Sequence, residues 1–247
     1  MATTFETIEI KRDSGIVELR IHHRGGSAVW AIWGGLHREL GIAFAEVAAD
    51  PDLRVLIITG TGDSFCAEFG LDVDMPPMSA ATWDIILNEG RALLQNLLAI
   101  PVPVIAAVNG PAFIHAEIPL LADIVLASGT ATFADKAHAI AGVVPGDGVQ
   151  TVWPMLLGPN RGRYFLMTGQ EIGAQEALAL GIIGEIVPAE SLSERAWEHA
   201  RTIAARPAIA NRHTRTVLTR YLRERMAAEL EPGLALEGLA ILAAQTA

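Results

Sequence analysis

The chain has 247 residues, of which 51% are hydrophobic and 19% charged, and its formal net charge is −10. That length permits one large α/β domain or two small ones around a substantial core, while the acidic balance argues against nucleic-acid or anionic-membrane partners, which call for a basic face. The single cysteine, Cys66, excludes an internal disulfide and a cysteine metal cluster, as suits a reducing cytoplasm.

The first elements alternate apolar and polar residues: "FETIEIKRD" and "IVELRIHH" flank Asp13-Ser14-Gly15 as the arms of a β-hairpin. No basic segment followed by an apolar run opens the chain, so no signal peptide is expected. In residues 36–50, Leu36, Leu40, Phe44 and Val47 fall at helical spacing before Pro51. "RVLIITGTG" reads as a buried strand, "TWDIILNEGRALLQNLLAI" as an amphipathic helix and "VPVIAAVNG" as a second buried strand. "ADIVLAS" and "ATFAD" continue the strand material. The alternation predicts an α/β unit with a largely parallel sheet. From about residue 160 the pattern becomes helical, with helices over 191–206 and 211–230 separated by Pro207, and "GLALEGLAILAA" closing the chain. The apolar-rich run 97–108 is broken by Pro101 and Pro103, and no run is long enough to span a bilayer.

Three glycine-marked corners follow apolar strands: "TGTGDSFCAEFGLD" at 59–72, "NGPAFIHAE" at 109–117 and "VVPGDGVQ" at 143–150. Ligands collect beyond the carboxyl ends of parallel strands, and backbone N–H groups at such corners can face a developing oxyanion. "TGTG" lacks the lysine and the spacing of a phosphate-binding loop. His115 and Glu117 stand in an otherwise apolar segment, where unpartnered polar groups cost roughly 1–3 kcal/mol each. Taken singly, His138 also reads as a loop histidine, Asp147 as a turn residue and Glu237 as a solvated helix position. Glu117 also reads as a structural acceptor, and Trp30 or Trp33 as core aromatics.

The three corners in this order, followed by a helical tail, resemble the crotonase (enoyl-CoA hydratase/isomerase) superfamily. The resemblance rests on "VLIITGTGDSFCAEFGLD", "IPVPVIAAVNGPA", "EIPLLADIVLAS", "GVVPGDG" and "GRYFLMTGQEIGAQEALALGIIGEIV". It implies a ββα spiral core over 1–190 and a C-terminal helical region over 191–247 that takes part in trimerisation, giving a homotrimer or a dimer of trimers. The high apolar content agrees with surface buried between subunits. It also implies an oxyanion hole from two backbone N–H groups, matched here by Phe69 and Ile114.

Two departures are informative. Hydratases carry "GGG" in the second corner where this chain has "FIH", and the second of their two glutamates falls at His138. The combination resembles the β-diketone hydrolase branch, typified by 6-oxocamphor hydrolase. In that branch the residues matching His115, His138, Asp147 and Glu237 form the active site, and a tryptophan matching Trp30, with Trp33 as a rival, binds the substrate carbonyl. An apolar pocket is expected from Phe69, Phe113, Ile114 and Trp83.

The resemblance implies hydrolytic C–C cleavage of a cyclic, bicyclic β-diketone by a retro-Claisen reaction. Neither a metal nor another cofactor is required, because the second carbonyl is itself the electron sink. A histidine with an ordinary value near 6.5 suits the base for water, with Asp147 expected to orient His138. The alternatives are a coenzyme A thioester hydratase or hydrolase of the same superfamily, and a metal-dependent hydrolase using His115, His138 and a carboxylate.

Overall fold

The computed structural model describes residues 3–70 and 74–244. β1 (Ile8–Asp13) and β2 (Ile16–Ile21) form an antiparallel hairpin in register from Ile8↔Ile21 to Asp13↔Ile16. Its two-residue loop, Ser14-Gly15, has positive φ at both positions (52° and 80°), the geometry whose twist matches that of the flanking strands. The chain continues through β3 (Ala28–Trp30), α1 (Leu36–Ala48), β4 (Val55–Gly60), β5 (Cys66–Phe69), α2 (Ala80–Ala99) and β6 (Val104–Val108). Then come α3 (Glu117–Leu120), β7 (Ile124–Ser128), β8 (Thr132–Phe133), α4 (Lys136–Ala141), α5 (Val149–Leu157), α6 (Pro159–Thr168) and β9 (Ile172–Gly173). α7 (Ala174–Ala179), β10 (Glu185–Val187), a 3-10 turn (Ala189–Ser191), α8 (Leu192–Ala204) and α9 (Ala208–Ala244) complete it. Residues 71 and 72 of the first glycine-marked corner, residue 73 after it, and the last three of the expected helical tail lie outside the described residues.

The main sheet has the order β1-β2-β4-β6-β7-β10, and every pair after the hairpin is parallel. All residues of β4 and β6 are buried because both faces are covered. Leu56, Ile58, Val104 and Ala106 share a core with α1 and α2. The alternating Val55, Ile57, Ile105 and Ala107 meet Leu192, Ala196, Trp197 and Ala200 of α8. Two-sided burial is the reason these strands read as unbroken apolar runs. A second, smaller layer joins β3 to β5, Cys66 to Ala112, Ala112 to Phe133 and β8 to β9. Each turn of the chain thus lays down a long strand, a short strand or bridge, and a helix. This is the expected α/β spiral.

The tail departs from its reading in one respect. Residues 211–230 and the closing segment form a single helix of 37 residues with Pro232 inside it. Proline removes one intrahelical hydrogen bond, but burial of Met226, Leu230 and Leu234 holds the helix on both sides of it. Among the described residues, no helix is long and apolar enough to cross a membrane.

Candidate active site

The strand ends and corners meet α2 and α9 around a cavity of about 180 Å³. Ile32, Ile86, Leu93, Leu94 and Leu234 give it apolar walls, and Trp30, Phe69, Trp83, His115, Glu117, His138, Asp147 and Glu237 also line it. Seven of the eight expected site residues are therefore brought together. The exception is Ile114, which lines a smaller cavity with Ile21, Leu40 and Phe65. Its N–H, the expected second oxyanion donor, donates instead to the Cys66 carbonyl at 3.1 Å. Phe113 is also absent from the lining and lies beneath the Lys136 ammonium, 3.6 Å from the ring centroid. Trp30 lines the cavity and the half-buried Trp33 is not among its lining residues. Burial pushes the Cys66 thiol up to about 12, which makes it a packing residue.

His115 occupies the corner after β6 with φ +53°. A side chain in this left-handed region costs about 1–3 kcal/mol unless its surroundings hold it, and here they do. Its ring stacks on Trp30 with centroids 3.9 Å apart and planes at 29°. Its Nδ1 lies 2.8 Å from Glu117 Oε1 and 3.1 Å from Asp147 Oδ2. Glu117, the first residue of α3, is fully buried.

His138 sits in the first turn of α4, capped by Asp135. One oxygen, Asp135 Oδ1, accepts the His138 backbone N–H at 3.4 Å and contacts the ring Nδ1 at 2.7 Å. The orienting carboxylate is thus Asp135 rather than Asp147. Asp147 stands on the opposite side of the ring, its Oδ2 3.5 Å from Nε2, with Glu237 Oε1 3.6 Å from the same nitrogen. The residue was missed because Asp-x-x-His reads first as a helix cap; here the cap oxygen serves both purposes.

Close backbone packing places the last two carboxylates. A Cβ on Gly146 would lie 2.2 Å from the Gly233 carbonyl oxygen, and one on Gly233 would lie 2.3 Å from that of Gly146. Gln150 donates to the carbonyls of Gly146 (3.0 Å) and Glu229 (3.2 Å). The Asp147 loop is thereby clamped to α9, one turn before Glu237. On the other wall, the Trp83 indole N–H donates to the Leu234 carbonyl at 3.0 Å. His37, also missed from the sequence, lines the cavity with its ring edge-on to Trp30 and Nδ1 3.7 Å from Glu89 Oε2. Its only signal is its place beside Leu36 at the margin of the buried stripe of α1.

Burial and mutual charge shift Glu117, Asp147, His115 and His138, with Asp135 and Glu237 adding their charge. Burial would lower His138, but Asp147, Asp135 and Glu237 outweigh it and push the imidazole up to about 12. Burial lowers His115, with Asp147 opposing. Burial raises Asp147 to about 7 against the pull of both histidines, and raises Glu117 to about 8. His138 therefore holds its proton at neutral pH while His115 is neutral, so His138 is not the resting base expected from the sequence. Asp147 Oδ1 and Glu237 Oε2 are buried without protein partners. Two sets of metal-ligand type share Asp147: His115 with Glu117, and His138 with Glu237, each within 4.8 Å. His138 could ligate only after losing its proton.

The model of the enoyl-CoA hydratase/isomerase family matches residues 11–237. The chain belongs to this family. Within the family it is 44% identical to a β-diketone hydrolase from the cyanobacterium Anabaena sp. PCC 7120, solved bound to (S)-3-oxocyclohexyl acetic acid, with a TM-score of 0.92 over 96% of this chain and 94% of that one. An enoyl-CoA hydratase/isomerase from Mycobacterium paratuberculosis is 25% identical, with a TM-score of 0.86 over 95% of this chain and 93% of that one. The carnitinyl-CoA dehydratase of Shigella flexneri is 33% identical over 199 residues, covering 80% of this chain and 74% of the relative. This member of the family is an enzyme scaffold whose cavity carries imidazoles where the hydratase pattern has glycine and glutamate.

Proposed function

We propose that the protein hydrolyses a C–C bond of a cyclic β-diketone, bicyclic in form, by a retro-Claisen reaction that yields a keto acid. The observation that carries this reading is the pair of oppositely shifted imidazoles on either side of Asp147 in an apolar cavity. Groups whose environments push their protonation apart mark the acid and the base of a site. The 44% identity to a β-diketone hydrolase supports it, as does the ligand of that protein, which carries a ring ketone and a carboxylate.

Asp147, raised to about 7, is matched to take a proton from water near neutral pH. The water oxygen bonds to one carbonyl carbon and the π pair moves to oxygen. The resulting alkoxide collapses, the C–C bond breaks, and its electron pair enters the second ketone as an enolate. His138, proton-bearing at Nε2, gives that proton to the enolate carbon. Asp147 then returns the water proton to His138 across the 3.5 Å between Oδ2 and Nε2. Diketone plus water gives keto acid, and the enzyme ends as it began. Glu237 Oε2, buried without a partner among the described residues, would hold the water, and Trp30 would offer an indole donor to a carbonyl.

The test is incubation with a bicyclic 1,3-diketone and with crotonyl-CoA in parallel, in water enriched in ¹⁸O. Loss of the diketone with one ¹⁸O in the new carboxylate supports the proposal. Turnover of the thioester alone would overturn it in favour of a coenzyme A thioester hydratase or hydrolase, the activity class that the carnitinyl-CoA dehydratase likeness favours.

A further inference from the structure

The family pattern places an oxyanion donor at the Ile114 amide, yet this amide is spent on the Cys66 carbonyl at 3.1 Å. The cavity therefore needs another donor for the carbonyl oxygen, and the next side chain, His115, faces it. Which ring nitrogen of His115 carries the proton depends on Glu117. That carboxyl is fully buried, its Oε2 has no partner, and its Oε1 lies 2.8 Å from His115 Nδ1. Among the described residues no lysine or arginine lines the cavity to balance an ionised form, the His138 imidazolium is already faced by Asp135, Asp147 and Glu237, and an unpaired buried charge neutralises itself. A neutral carboxyl must give its O–H to an acceptor, and Nδ1 is the side-chain atom within reach.

We infer that Glu117 is a positioning residue: its carboxyl, holding its proton, donates to His115 Nδ1 and fixes the Nε2–H tautomer, which replaces the Ile114 amide as donor to the substrate oxygen. The inference rests on the retro-Claisen reading for its substrate, but its structural core does not. The groups that face the pair are Asp147, with Oδ2 3.1 Å from the same Nδ1, and the charges of His138, Asp135 and Glu237. Asp147 is the competing partner for Nδ1; the proton-bearing Nε2 of His138 draws its charge the other way. The upward shift of Glu117 and the downward shift of His115 both favour the neutral pair at pH 7. Stacking on Trp30 holds the ring in the strained corner, and the 2.8 Å contact keeps Nδ1 on the Glu117 side.

Two variants test it. In Glu117→Gln the amide N–H donates to Nδ1 as the acid does but does not titrate. Its kcat/KM at pH 7 should stay within about threefold of the unsubstituted enzyme, a change of about 0.6 kcal/mol. The fall in kcat/KM expected above about pH 8, where Glu117 ionises, should vanish. Glu117→Ala should lower kcat about 10²–10³-fold, as loss of an oxyanion donor does, with a smaller effect on KM. In parallel, ¹⁵N shifts of the His115 ring should report a proton on Nε2 at pH 7 in the unsubstituted protein and in Glu117→Gln. A proton on Nδ1 would overturn the inference, as would a Gln variant as impaired as the Ala variant. If Glu117→Ala fails to fold, the Gln profile and the ring shifts decide. An enzyme inert toward diketones would sink the functional proposal alone, since the ring shifts do not depend on turnover.

Discussion

Two aspartates hold His138 from opposite sides, and their roles divide by which nitrogen each meets. Asp135 caps α4 and takes Nδ1, which fixes the ring; Asp147 faces Nε2, the nitrogen that carries the proton in the proposed reaction. Asp147 must be ionised to accept a proton, so kcat/KM should rise as pH passes upward through about 7. Asp147→Asn should abolish that limb and cost about 10²–10⁴-fold, the usual share of a positioned base. A profile flat from pH 5 to 7 in the unsubstituted enzyme would refute Asp147 as the base. Stability gives a second reading of the same pocket. Glu117 has a folded value of about 8 against an ordinary value of 4.5. The stability it contributes is thus complete below about pH 4.5 and is lost as pH rises through about 8. Glu117→Gln should therefore gain stability over the unsubstituted protein between pH 5 and 9, by an amount on the order of a few kcal/mol at the alkaline end. Chemical denaturation at the two pH values measures it; an equal loss in both proteins would show that Glu117 is already ionised. Of these residues, His115, His138, Asp147 and Glu237 were legible because they stand at marked places on a recognisable scaffold. Asp135 was not, since local sequence shows a cap and only the folded ring orientation shows its second duty.

α9 is the element that turns a spiral core into a closed site. It carries Leu234 and Glu237 to the cavity, and two ties hold the helix ahead of them. Further back, buried Arg215 donates to the Ile100 carbonyl at 2.9 Å and pairs with Asp123. Asp123 Oδ2 in turn accepts the Val104 N–H at 2.8 Å, so the pair links the helix to the start of β6. Removing one member of a buried pair leaves the other uncompensated, so Arg215→Met should destabilise by about 3–5 kcal/mol. Directly before Leu234, Gly233 and Gly146 approach too closely for any side chain. Gly233→Ala should cost about 1–3 kcal/mol through overpacking and should lower kcat out of proportion, because it moves the Asp147 loop away from Glu237. Thermal melts beside kinetics separate the two effects; full activity in a destabilised Gly233→Ala would show that the clamp does not set the site. The sequence pattern reads the Glu231-Pro232-Gly233 stretch as a stop. Local propensity argues for a break there, and it is overridden by packing from a loop about 86 residues earlier, which no local pattern reports.

At the scale of the whole molecule, the parallel order of the sheet was legible because two-sided burial writes itself as unbroken apolar strands. What covers the outer face of α9 was not. Asn211, Arg215 and Thr219 turn inward, while Val217, Leu218 and Tyr221 lie 73%, 72% and 64% exposed, with Ile209 (72%) further up the same helix. Leu236 and Leu239 extend the apolar surface toward the far end. Clustered apolar patches often mark interaction sites, and we propose that this one joins copies of the chain into the homotrimer or dimer of trimers that the family resemblance implies. Light scattering should thus give three or six times the chain mass of 26.3 kDa. A double substitution, Val217→Glu with Leu218→Glu, places like charges on the patch and should shift the protein toward monomer. Because the same helix presents Glu237 to the cavity, the dissociated form should lose kcat while circular dichroism stays unchanged. A monodisperse monomer at micromolar concentration in the unsubstituted protein would refute the assembly. A monomeric variant with full activity would instead show that each α9 holds its site without help from a neighbour.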